Sequence, residues 1–505
     1  MAANVDRTNL VWVAVGFAFS LGLVQITILL YRAYFGPLSK FPGPRLDAFT
    51  PLVALNHKIN GIDPQEKRKL HDTYGHVVRF GPNELSFNTS AAWRDIYGHR
   101  IGGKASLQKD KRFYGEPLTG SHSIIDADDE NHARMRRILS HSFSDKALKS
   151  QEPVFKQWTR LLITKLTEHA TKHPDESTDM VKRWNCATFD IMGDLTFAES
   201  LGMLEGGVYS PWVKTIYDNV KIGTQLRCLC AIPGIGSVLQ SILQAIPSAR
   251  QAQYDHINYA VERVHRRMAK SEHELAHPDL WTEVIKRGEK LDLTMGEMES
   301  NGNLFMIAGT ETTATLLSGL SFYLLKNPDK MAALVHEIRT SFRTIDDITI
   351  EELQRMPYLN ACVEEGLRIY PPVPIGLPRI VPPQGMTIDG VFVPGGTSVS
   401  VSQWSTYRSE SNFVLPEEFH PERWLPNDRR FAKDDKASFQ PFSTGPRNCI
   451  GKNLAYHETR LLLASVLHHF DLELDPKSKD WHDDQLIYNL WEKVPLWVKL
   501  RPVKA

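Results

Sequence analysis

With 505 residues, 42% of them hydrophobic and 10% aromatic, the chain has enough apolar material for one large core. Its 59 basic residues offset 59 acidic ones, so charge gives no argument for nucleic acid or another polyanion as a partner. Five scattered cysteines (Cys186, Cys228, Cys230, Cys362 and Cys449) argue against a disulfide framework and point to a reducing compartment.

The first expected element is a membrane anchor. Leu10 to Leu30 is uncharged and interrupted only by Ser20, Gln25 and Thr27 among polar residues. About 20 such residues span a hydrocarbon core. A cleaved signal would have a shorter apolar core, a more basic start and a small-residue cleavage site. Arg32, Lys40 and Arg45 follow the segment, whereas Arg7 is offset by Asp6, so the body is expected to face the cytosol. This divides the chain into an anchor over 1–35, a hinge over 36–45 stiffened by Pro37, Pro42 and Pro44, and a globular body over 46–505.

Within the body, helix-period segments dominate and strands are confined to patches. One hairpin is expected where His76–Phe80 and Glu84–Phe87 flank Gly81-Pro82-Asn83, and a second around Asp389-Gly390, between Met386–Ile388 and Val391–Val393. His132 and Arg136, four residues apart, share one helix face. Cys228-Leu229-Cys230 lacks a second Cys/His pair at zinc spacing and reads as core or membrane-facing. Gly234-Ile235-Gly236 has neither a third glycine nor a preceding strand, so it is no dinucleotide fingerprint.

A long helix is expected over Thr294–Lys326, opened by the capping box Thr294-x-x-Glu297 and stopped at Asn327-Pro328. At 1.5 Å per residue it is about 50 Å long, enough to cross the molecule. Its middle reads Ala308-Gly309-Thr310-Glu311-Thr312-Thr313. Polar groups in an apolar helix are costly unless satisfied, and threonine hydroxyls divert backbone hydrogen bonds and bend helices. A groove bearing a hydroxyl is expected there.

Glu365 and Arg368, three apart, lie on one face of a helix expected to run from near Ile350 to just before Pro371. Arg423 sits in the Pro-bounded loop Pro421–Trp424. The most telling stretch is Phe442-Ser-Thr-Gly445-Pro-Arg447-Asn-Cys449-Ile-Gly451, which precedes the helical run Lys452 to Phe470. It presents Cys449 at a helix start, where the dipole and free N–H groups favour a thiolate. Gly445 and Gly451 are expected to admit a flat cofactor, Arg447 to supply a cation for a carboxylate, and Phe442 to keep water from the sulfur.

These ten residues fill every fixed position of Phe-x-x-Gly-x-Arg-x-Cys-x-Gly, and the chain thereby resembles the cytochrome P-450 superfamily. The resemblance covers Phe41 to about Pro502 and implies a mainly α fold with small β-sheets, a triangular heme-thiolate body, here behind an N-terminal transmembrane helix. It implies heme b with iron axially ligated by Cys449, propionates bound by His132, Arg136, Arg379 and Arg447, and Phe442 against the sulfur. It implies that Glu311 and Thr312 are an acid–alcohol pair relaying protons to dioxygen, and that Glu365, Arg368 and Arg423 form a structural triad locking the cysteine loop. The implied reaction is NADPH- and O2-dependent insertion of one oxygen atom into a lipophilic small molecule, by hydroxylation or epoxidation. The texture resembles fungal enzymes acting on terpenoids, polyketides or alkaloids. Residues for a flavin domain are lacking, so NADPH-cytochrome P-450 reductase is the expected electron donor, and the endoplasmic reticulum the expected membrane. Apolar walls for the substrate are expected from Phe113–Ile125, Val208–Ile246, Val373–Leu377 and Leu486–Trp491. Two other classes stay open: a heme-thiolate isomerase or dehydratase that needs no reductase, and a non-catalytic heme-binding membrane protein.

Overall fold

A computed structural model of the chain describes residues 7–100, 106–115, 117, 120–232, 234, 236–286, 293–426 and 428–503. Parts of the expected Phe113–Ile125 and Val208–Ile246 walls (116, 118, 119, 233 and 235) and the first six residues lie outside them. The long helix forms over Met295–Lys326. The Thr294 hydroxyl accepts from the Glu297 N–H at 3.2 Å, and the Glu297 carboxylate accepts from the Thr294 N–H at 2.9 Å, closing the capping box. The helix packs along Met180–Phe197 and Pro247–Ala269, then against Pro357–Ile369 and Lys452–His469. Gly319 lets it press on Tyr370, since an added Cβ would stand 2.1 Å from the ring.

The helix expected from Ile350 to Pro371 is two helices, Ile350–Gln354 and Pro357–Ile369. Pro357 explains the break: it pushes the preceding residue out of the helical region, and Met356 is extended at φ −80°, ψ 106°. The helix after the cysteine loop ends at His469, and Phe470 opens the strand Phe470–Leu474.

Both expected hairpins form. In the second, Ile388 pairs with Val391, and Asp389 and Gly390 both have positive φ, the geometry of a tight two-residue turn. The first, Val77–Gly81 with Glu84–Phe87, belongs to a five-stranded sheet that continues through Ser398–Val401 and Arg379–Ile380 to Gln108–Lys109. Leu85, Phe87, Val399 and Val401 of this sheet form a second, smaller core with Leu38 and Phe41.

The N-terminal helix spans Arg7–Tyr34, and Val15–Tyr34 is apolar and long enough to cross a membrane. Trp12, Phe17 and Phe19 are exposed along it. Its end meets the body, where Arg79 Nη1 donates to the Ala33 carbonyl at 3.3 Å.

Candidate active site

The cysteine loop is shaped by backbone turns. Ser443 and Gly445 both adopt positive φ. Gly445, expected to face a flat cofactor, instead backs onto the Tyr97 carbonyl, 2.0 Å from where its Cβ would stand. The Cys449 N–H donates to the Phe442 carbonyl at 2.9 Å, closing the loop just before the helix Lys452–His469. The Phe442 ring lies 5.1 Å from that of Tyr456, so the aromatic residue is held by the helix that the loop feeds.

Cys186, Cys228 and Cys362 are buried and Cys230 is half-buried, whereas Cys449 presents open surface. Protein nevertheless surrounds Cys449 closely enough that burial raises its thiol above the usual range, with the Gly451 N–H, Arg136 and Lys452 pulling the other way. Cys449 therefore opens on an enclosed cleft, with a backbone donor and two cations facing its sulfur.

Five basic side chains gather nearby. The helix Asp129–Leu139 carries His132 and Arg136. Arg136 Nη2 donates to Asn448 Oδ1 at 2.7 Å, tying that helix to the residue before the cysteine. Arg447 donates to the Ala127 carbonyl and to Asp129, both at 2.7 Å. Arg379 donates to the Tyr114 hydroxyl at 2.8 Å and faces Lys109 directly across a strand pair. Lys109 was not singled out by the sequence; only this pairing reveals it. Burial, then Arg379 and Arg447, hold its ammonium well below the ordinary lysine range. His132 is pushed down to about 3 by burial, then by Arg447, Lys109 and Arg136. Like charges directly opposite on a sheet are destabilising. Such crowding fits a bound group with two carboxylates, as heme has, beside an available thiolate.

On the long helix, Thr310, Glu311 and Thr313 are buried, yet Ala308 is exposed and Thr312 only half-buried. Residues four apart share a stripe, so Ala308 and Thr312 form one open stripe on an otherwise covered stretch of the helix. The Thr312 hydroxyl donates to the Ala308 carbonyl at 2.7 Å, diverting it as expected. Gly309 faces elsewhere and admits Met192, whose Cε would be 2.8 Å from an added Cβ. Glu311 points away from Thr312: its Oε1 accepts from Lys493 Nζ and, at 3.2 Å, from the Thr315 hydroxyl. Nothing in the spacing of residues marks Lys493 as its partner.

Glu365 is fully buried and every one of its partners is charged or a strong donor. Arg368 grips it with Nη2–Oε1 at 2.8 Å and Nε–Oε2 at 2.9 Å. Arg423 reaches Oε2 at 3.0 Å, the Trp424 indole donates at 2.9 Å and the His420 N–H at 2.8 Å. Burial alone would raise this carboxyl, but Arg368 and Arg423 hold it below its ordinary value. Arg423 also pairs with Asp434 at 2.5 Å, a fourth member that spacing did not reveal.

A model of the cytochrome P-450 family matches residues 42–495. The chain is 52% identical over 479 residues to the cytochrome P-450 monooxygenase efuB of Hormonema carpetanum, covering 94% of each protein. It is 41% identical over 497 residues to the monooxygenase lcsI of Purpureocillium lilacinum, covering 97% of this chain and 95% of lcsI. It is also 39% identical over 490 residues to averantin hydroxylase of Dothistroma septosporum, covering 95% of this chain and 90% of that enzyme. Members of the family carry heme whose iron is bound by a cysteine thiolate, the group that the cleft beside Cys449 fits. Since the match takes in the cysteine loop, the long helix and the buried Glu365 cluster together, the chain belongs to the cytochrome P-450 family and is a monooxygenase.

Proposed function

We propose that this monooxygenase hydroxylates a lipophilic product of fungal secondary metabolism, and that the Cys449 thiolate would hold the iron of its heme. Heme bound there would supply the dioxygen chemistry, with Cys449 providing the thiolate that would hold its iron. Arg136, Arg379 and Arg447, with His132, hold the propionates. Phe442 shields the sulfur, and Glu365, Arg368 and Arg423 lock the loop. Thr312 and Glu311 handle protons on the distal side. Arg7–Tyr34 anchors the protein in the endoplasmic reticulum with its body in the cytosol, where a membrane-bound NADPH-cytochrome P-450 reductase supplies electrons.

The observation that carries this reading is the Cys449 thiol with Arg136 and Lys452 acting on it and Arg447, Arg379 and Lys109 clustered close by, together with the open Ala308–Thr312 stripe of the long helix. An isomerase or dehydratase would need no hydroxyl held at such a stripe. The test is to delete the gene, isolate the metabolite that accumulates, and supply it to the full-length protein in vesicles with the reductase. One oxygen atom from isotopically heavy dioxygen should appear in the product only when NADPH is present. Conversion without NADPH and dioxygen would refute the reading.

A further inference from the structure

Arg79, in the strand Val77–Gly81, is 2% exposed and meets no carboxylate among the described residues. Its guanidinium donates to backbone carbonyls instead. Nε donates to Gly81 at 3.3 Å, Nη1 to Ala33 at 3.3 Å, and Nη2 to Pro82 at 2.8 Å and to Arg32 and Ala48, each at 3.4 Å. Arg32 and Ala33 belong to the last turn of the helix Arg7–Tyr34, whose final carbonyls find no partner within the helix. The Phe35 and Gly36 N–H groups take the Tyr31 carbonyl, and Arg79 takes the next two. A cation there also meets the negative end of the helix dipole.

The backbone reinforces this joint. The Arg79 N–H donates to the Pro42 carbonyl at 2.7 Å, and a Cβ added at Gly43 would stand 2.1 Å from the Arg79 carbonyl oxygen. Leu38 and Phe41 are buried in the smaller core, so the segment expected as a hinge is laid against the body. Ala48 lies in the short helix Arg45–Phe49, which packs on the anchor's end. One guanidinium therefore ties together the anchor, the short helix and the first hairpin.

We propose that Arg79 is the joint that sets the angle between the membrane-spanning helix and the body, so that the body meets the bilayer in one orientation and does not swing on its hinge. This rests on the reading of Arg7–Tyr34 as a membrane anchor. Tyr31, Tyr34 and Phe35 are exposed around the anchor's end, and Leu46 is 60% exposed on the short helix packed there. A fixed joint keeps these side chains together at the depth of the lipid headgroups, where aromatic residues reside, with the exposed Arg32 and Arg45 available to phosphates. A merely structural arginine would set the stability of the body and leave the angle unchanged.

The test uses the full-length protein in phospholipid vesicles, with spin labels introduced as non-natural amino acids so that every native cysteine stays. One labelled pair joins the exposed Val24 of the anchor to the exposed Asp72 of the body, and a control pair, Asp72 and Lys433, lies wholly on the body. In the unaltered protein both distance distributions should be narrow. Arg79→Met should broaden the anchor–body distribution severalfold and leave the control narrow. Arg79→Lys keeps the charge without the planar fork and should broaden it in part. A pair of glycines inserted after Gly36 should broaden it little, because the guanidinium still holds the helix end. The proposal is overturned by a broad anchor–body distribution in the unaltered protein, by an unchanged one in R79M, or by glycines that broaden it as much as R79M does. Broadening of the control alongside would mean that Arg79 serves the fold of the body alone. Should R79M not fold, R79K combined with the glycines is read in its place, and a narrow distribution there overturns the proposal. A protein that carbonate washes off the vesicles would refute the anchor reading instead, and the same pairs measured in detergent then judge the joint.

Discussion

Arg423 Nε lies 3.0 Å from Glu365 Oε2, and neither side chain has any exposed surface. One buried carboxylate thus serves two guanidiniums, because Arg368 holds its other side. Glu365→Ala removes the carboxylate from Arg368, which keeps the Tyr407, Pro416 and Glu418 carbonyls, and leaves Arg423 with Asp434 and the Val414 and Leu415 carbonyls. Breaking a buried pair costs about 3–5 kcal/mol. The variant should melt at a lower temperature and be purified with little heme. Arg423→Ala should also be costly, since it leaves the fully buried Asp434 carboxylate without its guanidinium while Glu365 keeps Arg368. Thermal unfolding with heme content per chain checks both, and unchanged values in Glu365→Ala would remove the locking role.

Lys109 and Arg379 face each other across a strand pair with Arg447 close by. Cations so placed repel unless an anion lies between them. Lys109→Met should therefore leave folding intact and weaken the hold on heme. A hydrogen bond to a charged group contributes about 1.5–3 kcal/mol, so transfer of heme to an acceptor apoprotein should be faster by roughly tenfold or more. An unchanged transfer rate would mean that Lys109 serves only the strand pair and the Ile125 carbonyl that it also contacts.

How far the sequence reached follows from the range of its signals. The capping box at Thr294, the Asp389-Gly390 turn and the Cys449 pattern each lie within a few residues, and each formed where expected. The break at Pro357 was also local, but the apolar periodicity on either side masked it. Lys109, Asp434 and Lys493 were missed because their partners are distant in sequence or unmarked by spacing. Lys493 meets Glu311 from 182 residues away, a pairing created by the C-terminal hairpin alone. Gly445 was misjudged for the same reason, since the Tyr97 carbonyl behind it belongs to another helix.

His71 offers a test of the pH response away from the cysteine cleft. It is 4% exposed, with Nδ1 2.8 Å from the Gly75 carbonyl and Nε2 2.8 Å from the Ser86 hydroxyl. Burial lowers its pKa from 6.5 to about 4. A base with a depressed pKa contributes stability that is present above its unfolded value and lost as the unfolded chain gains a proton first. Stability should thus fall as pH drops from 6.5 toward 4, at about 1.4 kcal/mol per unit and up to about 3 kcal/mol in all. His71→Gln should be somewhat less stable at pH 7 and show a shallower decline. Denaturant midpoints across that interval measure the difference, and parallel curves for the two proteins would exclude His71 as a source.

The iron ligand admits the sharpest test. Ferrous heme with carbon monoxide trans to a thiolate should give the red-shifted Soret band for which the family is named, because the sulfur donates more charge than a neutral nitrogen. Cys449 is the cysteine with open surface, whereas Cys186, Cys228 and Cys362 are buried, with burial raising each thiol. Cys449→Ser offers a harder, far less acidic donor, so heme should be lost or the band displaced, with monooxygenation abolished. Serine at Cys186, Cys228, Cys230 or Cys362 should leave the band in place. Measuring the carbon monoxide spectrum of all five variants decides the matter. A Cys449→Ser protein that kept both band and turnover would assign the ligand elsewhere, and with it the role of every cation gathered around the loop.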